Sequence, residues 1–108
     1  MIVKLKRKSI QYSDLSPRQQ YFVIGIEAGD FRIINDHGKP YLYPENLFKV
    51  IDPTEPSDWV TEFGDDGERY SYPEILQRPG FFEDYFDGQS EAFTKFWQLI
   101  NSNLSRAA

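Results

Sequence analysis

Hydrophobic and polar positions alternate with a two-residue period through the middle of the first half of this chain, from Tyr21 to Asp52. Phe22, Ile24 and Ile26 alternate with Tyr21, Val23 and Gly25, which predicts a strand with one buried face. The segment is β-branched and aromatic, a composition that suits a pleated surface. Ala28-Gly29-Asp30 is short enough to turn the chain, and a second strand follows at Phe31 to Asn35, with Phe31 and Ile33 on one face. Asn35 to Lys39 is a second turn, in which Gly38 can take a positive φ. Tyr41 to Tyr43 makes a third strand that Pro44 ends, because proline has no N–H to give a ladder. The turn Pro44-Glu45-Asn46-Leu47 then leads to a last short strand at Phe48 to Ile51.

The N-terminal residues repeat the alternation. Val3 and Leu5 share a face of a strand predicted over Ile2 to Ile10, with Lys4, Lys6, Arg7 and Lys8 mostly outside it. Lysine on such a strand is the usual protection of a sheet edge against mispairing. Gln11 to Gln20 is polar, with Leu15 as its anchor and Ser16-Pro17 as a turn signal.

After Ile51 the pattern changes. Residues 52–57 hold two prolines and no large apolar side chain, the composition of a stiff connector. Alternation resumes from Asp58 to Phe63, with Trp59, Thr61 and Phe63 together. Gly64-Asp65-Asp66-Gly67 is a strong turn, and Glu68 to Tyr72 returns with Tyr70 and Tyr72 on one side. This second hairpin echoes the first. Gly38-Lys39-Pro40-Tyr41-Leu42-Tyr43-Pro44-Glu45-Asn46-Leu47 and Gly67-Glu68-Arg69-Tyr70-Ser71-Tyr72-Pro73-Glu74-Ile75-Leu76 match at the glycine, both tyrosines, the second proline, the glutamate and the leucine. Both read as a turn, a Tyr-x-Tyr strand and a proline-started helical turn; two copies are too few for a solenoid.

Arg78-Pro79-Gly80 interrupts the chain, and Phe81 to Gly88 mixes four aromatics with three carboxylates in what reads as a short helical turn. The last element is a helix over residues 89–104. Phe93, Phe96, Trp97, Ile100 and Leu104 form one stripe, Ser90 can cap its start, and Glu91 sits near the positive end of its dipole. The stripe is expected to pack on the strands or on the second hairpin, and Ser105 to Ala108 to fray.

Short strands, tight turns and a proline-initiated turn before the closing strand are the parts of a small barrel. YFVIGIE, FRIIND, the G-x-P-Y-L-Y-P run and LFKVID resemble a small bacterial SH3-like domain found in short, stand-alone proteins, some of them immunity partners of secreted toxins. The resemblance covers about the first half of the chain, and its motifs specify structure rather than chemistry. The expected fold is therefore mainly β (α+β): an SH3-like small antiparallel barrel with an extra β-hairpin and a C-terminal amphipathic helix. The expected organisation is a single domain over residues 1–108, with strands in 1–52, the hairpin and acidic-aromatic segment in 53–88, and the helix in 89–104.

Composition narrows the function. The chain has 108 residues, 17% of them aromatic, so a few bulky rings are expected to fill the core. There is no cysteine, hence no disulfide framework or thiolate metal site. The basic N-terminus is not followed by an apolar stretch, which is not the layout of a signal peptide, and no run reaches the length of a membrane span. The reading is a soluble, cytoplasmic protein.

Net charge is −5, but its distribution matters more: between Asp52 and Glu91 there are twelve carboxylates against two arginines, Arg69 and Arg78. Such a surface repels phosphate and attracts basic partners, although solubility alone also explains it. His37 is the only histidine and lies in a turn, so a zinc site would need carboxylates as its other ligands. The Gly64 to Glu68 run lacks the ligand spacing of an EF-hand loop, and no phosphate-binding glycine loop or nucleophile elbow is present. No catalytic residue, cofactor or metal is expected, and an enzyme is the least favoured class.

Three binding readings remain. The first is an immunity protein that neutralises a basic, nuclease-type toxin, a role the resemblance implies and the charge suits. Its contacts would be Asp65, Asp66, Glu68, Glu83, Asp84 and Asp87, with Trp59 and Tyr70 as anchors. The second is an SH3-like peptide-binding or regulatory module with a groove at Tyr41, Tyr43 and Pro44. The third is nucleic-acid binding by Lys4, Lys6, Arg7 and Lys8, which the overall acidity opposes. No membrane partner is expected, and the free protein should be a monomer or a weak homodimer.

Overall fold

The computed structural model describes the backbone of residues 1–107 and the side chains of residues 1–103. Leu104, expected on the helix stripe, and Ala108 thus fall outside the described side chains. The chain divides into two compact units, Met1–Tyr72 and Pro73–Ala108.

The first unit is an antiparallel sheet. Its strands are β1 (Ile2–Leu5), β2 (Gln20–Glu27), β3 (Asp30–Ile34), β4 (Pro40–Pro44), β5 (Phe48–Asp52), β6 (Trp59–Phe63) and β7 (Arg69–Pro73), with a 3₁₀ turn at Glu45–Leu47. Strand order is β4-β3-β2-β1-β5, with β7 also on β2 and β6 beyond β7. Among the described residues no pairing joins β4 to β5, so the sheet is open. The second hairpin, whose relation to the first sheet the sequence left undecided, is part of it.

β2 organises this unit because it serves two neighbours along one edge. Its first half pairs with β1 (Val3 opposite Tyr21), and its second half pairs with β7 (Ile26 opposite Ser71). The register against β3 shifts between Val23 and Gly25, so Ile24 is an extra residue in the strand. The bulge explains why one alternating face was not obtained. Tyr21 and Val23 point into the core before it and Ile26 after it, while Phe22, which shares the period of Ile24 and Ile26, is exposed. A one-residue slip exchanges the faces of a strand, and β2 makes that exchange midway.

β1 also differs from expectation. It ends at Leu5, where Lys6 N–H turns to the Leu47 carbonyl at 3.0 Å. It is an interior strand between β2 and β5, so its lysine is not guarding an edge. The face assignment holds: Val3 and Leu5 are buried, and Lys6, Arg7 and Lys8 are exposed. The core gathers Val3, Leu5, Leu15, Val23, Ile26, Phe31, Ile33, Tyr43 and Phe48, with Trp59 half-buried against it. Each large side chain removed from water there contributes roughly 1.5–3 kcal/mol.

The second unit holds α1 (Glu74–Gln77), α2 (Phe81–Phe86) and α3 (Ser90–Ala107). Ser90 is the first helical residue rather than the cap, and α3 runs past the expected end at Leu104. Phe81, Tyr85 and Phe96 are buried, with Tyr85 and Phe96 edge to face at 5.1 Å. The buried line of α3 is Ala92, Phe96 and Ile100, spaced four apart; Phe93, expected inside, is 53% exposed and stacks on Tyr85 at 5.5 Å. No helix of the described chain is long and apolar enough to cross a membrane.

Candidate interaction surface

Five of the eight residues expected at a partner-binding surface lie on the β6–β7 hairpin of the first unit: Trp59, Asp65, Asp66, Glu68 and Tyr70. The other three, Glu83, Asp84 and Asp87, belong to α2 and its C-terminal cap in the second unit.

The hairpin is built by its turn. Gly67 N–H donates to the Gly64 carbonyl at 3.0 Å, and Gly64 N–H to the Glu68 carbonyl at 2.8 Å. Gly67 has φ 78°, a left-handed conformation that glycine adopts without steric cost. Gly64 makes room for the Glu68 side chain, since a Cβ there would stand 1.6 Å from its carboxylate oxygen. That carboxylate accepts the Asp66 N–H at 3.0 Å. Glu68 is thus half-buried and holds the turn, whereas Asp65 and Asp66 are exposed at the tip.

Trp59 packs on the core, and Tyr70 is half-buried, its hydroxyl pushed up by burial and by the carboxylates of Glu68 and Glu27. The large exposed aromatic of this hairpin is Phe63, which is 70% accessible. From 52 to 68 the chain carries seven carboxylates and no lysine or arginine. The next cation, Arg69, is held by Glu55 in a two-toothed ion pair that also keeps the Glu55 carboxyl below its usual range. In the second unit Asp84 pairs with Arg78 at 3.0 Å, and Glu83 and Asp87 are exposed. His37 lies exposed in its turn, its N–H on Asn35 Oδ1 at 2.9 Å. Among the described residues, no three His, Cys, Asp or Glu side chains converge as metal ligands.

Two buried polar clusters escaped the reading of the sequence. In one, Arg32, Gly25 and Tyr72 are neighbours on adjacent strands, and Arg32 Nε reaches over the bare glycine to donate to Tyr72 Oη at 2.7 Å. Its guanidinium also reaches the Pro40 carbonyl at 2.7 Å and the Glu27 carboxylate at 3.4 Å. A glycine inside a strand pattern marks a close approach of this kind, and Gly25 was the available signal. In the other, Tyr43 Oη donates to Asp14 at 2.8 Å and accepts from Asn35 Nδ2 at 3.1 Å. Nearby, Tyr21 Oη donates to Asp36 at 2.6 Å, and its hydroxyl is pushed up to about 12 by burial and that bond. Tyr43 is therefore a core residue with a committed hydroxyl and cannot line an open peptide groove beside Tyr41.

Comparison with protein-family models, with curated proteins and with solved structures finds no match.

Proposed function

We propose that this chain is a non-enzymatic binding protein that docks onto a basic protein partner through the acidic, aromatic face of its second hairpin. On this reading it acts as an immunity protein does against a nuclease-type toxin. One observation carries the reading: seven carboxylates and no cation over residues 52–68, four of them (Glu62, Asp65, Asp66 and Glu68) on the second hairpin, which exposes Phe63. A nuclease must be cationic to hold phosphate, so an acidic inhibitor is steered to its groove and occupies it. The exposed ring supplies contact area, and the carboxylates supply rate and register. An SH3-like barrel is the fold we propose for the first unit. The support is a β2 shared between β1 and β7, a bulge where it changes partner, and a 3₁₀ turn leading into β5.

The test is stopped-flow association with the cationic product of the adjacent gene at several salt concentrations. Replacing Asp65 and Asp66 by asparagine should slow association roughly tenfold at low salt and flatten its salt dependence. Glu83→Gln with Asp87→Asn, placed in the other unit, tests whether α2 shares the surface. Association that stays fast and salt-sensitive in both variants would remove these carboxylates from the interface.

A further inference from the structure

We propose that the outer edge of β6, at Thr61 and Phe63, accepts an extended lysine- or arginine-bearing segment of a protein partner as an added strand of the sheet. The proposal rests on the binding-protein reading above and specifies how the partner is held.

Register determines which backbone groups face outward. The turn at Gly64–Glu68 has the same two hydrogen bonds as the turn at Asn35–Lys39, where Ile33 then stands opposite Tyr41. Carried along the second hairpin, that register makes Glu62 and Tyr70 a hydrogen-bonded pair and places Thr61 opposite Ser71. The two hydroxyls of that last pair meet at 2.8 Å, as the register requires. Antiparallel ladders alternate sides, so the N–H and C=O of Thr61 and Phe63 point away from β7. Among the described residues β6 pairs with β7 alone, and Thr61, Glu62 and Phe63 are exposed.

The molecule's other open edges are guarded. β4 begins and ends in proline, which gives a ladder no donor, and β5 carries Lys49 and a register shift beside Ile51. β6 reads Trp-Val-Thr-Glu-Phe, with no proline, no lysine and strong strand formers. Its protection is negative charge: Glu62 on the strand and Asp65 and Asp66 at the adjoining tip are exposed, and no lysine or arginine lies between residues 52 and 68. That charge selects the occupant. A second copy would bring Glu62 and the acidic turn against their own kind, and a nucleic acid would meet the same repulsion. A strand with cationic side chains is attracted, while its backbone meets the outward N–H and C=O groups.

The experiment titrates the full chain, ¹⁵N-labelled, with a short peptide alternating lysine and valine. A second peptide of the same sequence, N-methylated at every residue, has no donors along either edge. The expected result is slowed hydrogen exchange at Thr61 and Phe63 with the first peptide and at least roughly tenfold weaker binding of the second. Thr61→Pro removes an outward N–H without touching the β7 ladder and should abolish the protection. The N-methylated peptide, used with the unaltered protein, gives the same answer if that variant does not fold. Equal binding of the two peptides overturns strand addition and leaves the acidic-surface reading standing. Binding of neither at low salt overturns both, and protection appearing equally without peptide as protein concentration rises assigns the edge to a second copy instead.

Discussion

The two hairpins, β3–β4 and β6–β7, share one local design and have opposite exposures. Both turn through a glycine near φ 75–78°, both close with the same pair of backbone bonds, and both return a Tyr-x-Tyr strand into a proline. The second tyrosine of each, Tyr43 and Tyr72, is buried with its hydroxyl engaged. In the first hairpin the outgoing arm is covered: β3 lies between β2 and β4, and Phe31 is 5% exposed. In the second the returning arm docks on β2, and the outgoing arm, with Phe63, is left at the margin. The difference teaches that a hairpin's sequence determines its turn and register, whereas its neighbours determine which arm is buried. It also divides the labour. The first hairpin closes the core, and the second offers a strand edge and an acidic tip.

The largest test of this comparison is the seam that only the second hairpin has. A Cβ on Gly25 would stand 2.1 Å from the Tyr72 ring and 2.8 Å from the Ser71 carbonyl oxygen. Gly25→Ala should therefore destabilise the protein by about 3 kcal/mol, with hydrogen-exchange protection lost across residues 59–72 before it is lost in β3 and β4. Equal loss in both hairpins would show that they unfold as one.

A smaller effect tests what the hairpins share. Nothing lies within 4 Å of a Cβ on Gly38 or Gly67, so alanine there meets only the backbone penalty of a positive φ. Each substitution should cost about 1–2 kcal/mol in chemical denaturation, and the two costs should agree. Unequal costs would break the equivalence of the turns.

The smallest effect separates the hydroxyl environments. Burial and Asp14 raise the Tyr43 hydroxyl; burial also raises that of Tyr72, but there Arg32 opposes the rise. Each fold thus favours the neutral phenol. Its contribution to stability is intact below the unfolded value near 10 and is lost as pH climbs above it, by roughly 0.4 kcal/mol per group at pH 10. Urea melts from pH 8 to 10.5 should show the decline, and Tyr43→Phe and Tyr72→Phe should each flatten part of it. A decline unchanged in both variants would assign it to other groups, Tyr21 first.

Much of this was legible in the chain. Turn glycines, tyrosine strands and the prolines that end them located the seven strands to within a few residues, except that β1 is shorter. The acidic run and its turn placed Asp65 and Asp66 at an exposed tip. Spacing did not reveal two local contacts of the other hairpin residues: Glu68 folds back on Asp66 N–H, and Trp59 packs on the core. Nor does alternation reveal a bulge. Phe22 and Phe63 each fit a buried face by period, and both ended outside.

By itself, then, the sequence determined the local units, because turn geometry and side-chain period are set by residues a few positions apart. It also determined the charge of the second hairpin. The tertiary structure alone decided that β2 serves two partners, that Gly25 lets Arg32 and Tyr72 meet, and that β6 is left at an open edge. Those outcomes depend on strands far apart in the chain competing for the same ladder, and on which of them leaves its backbone facing outward.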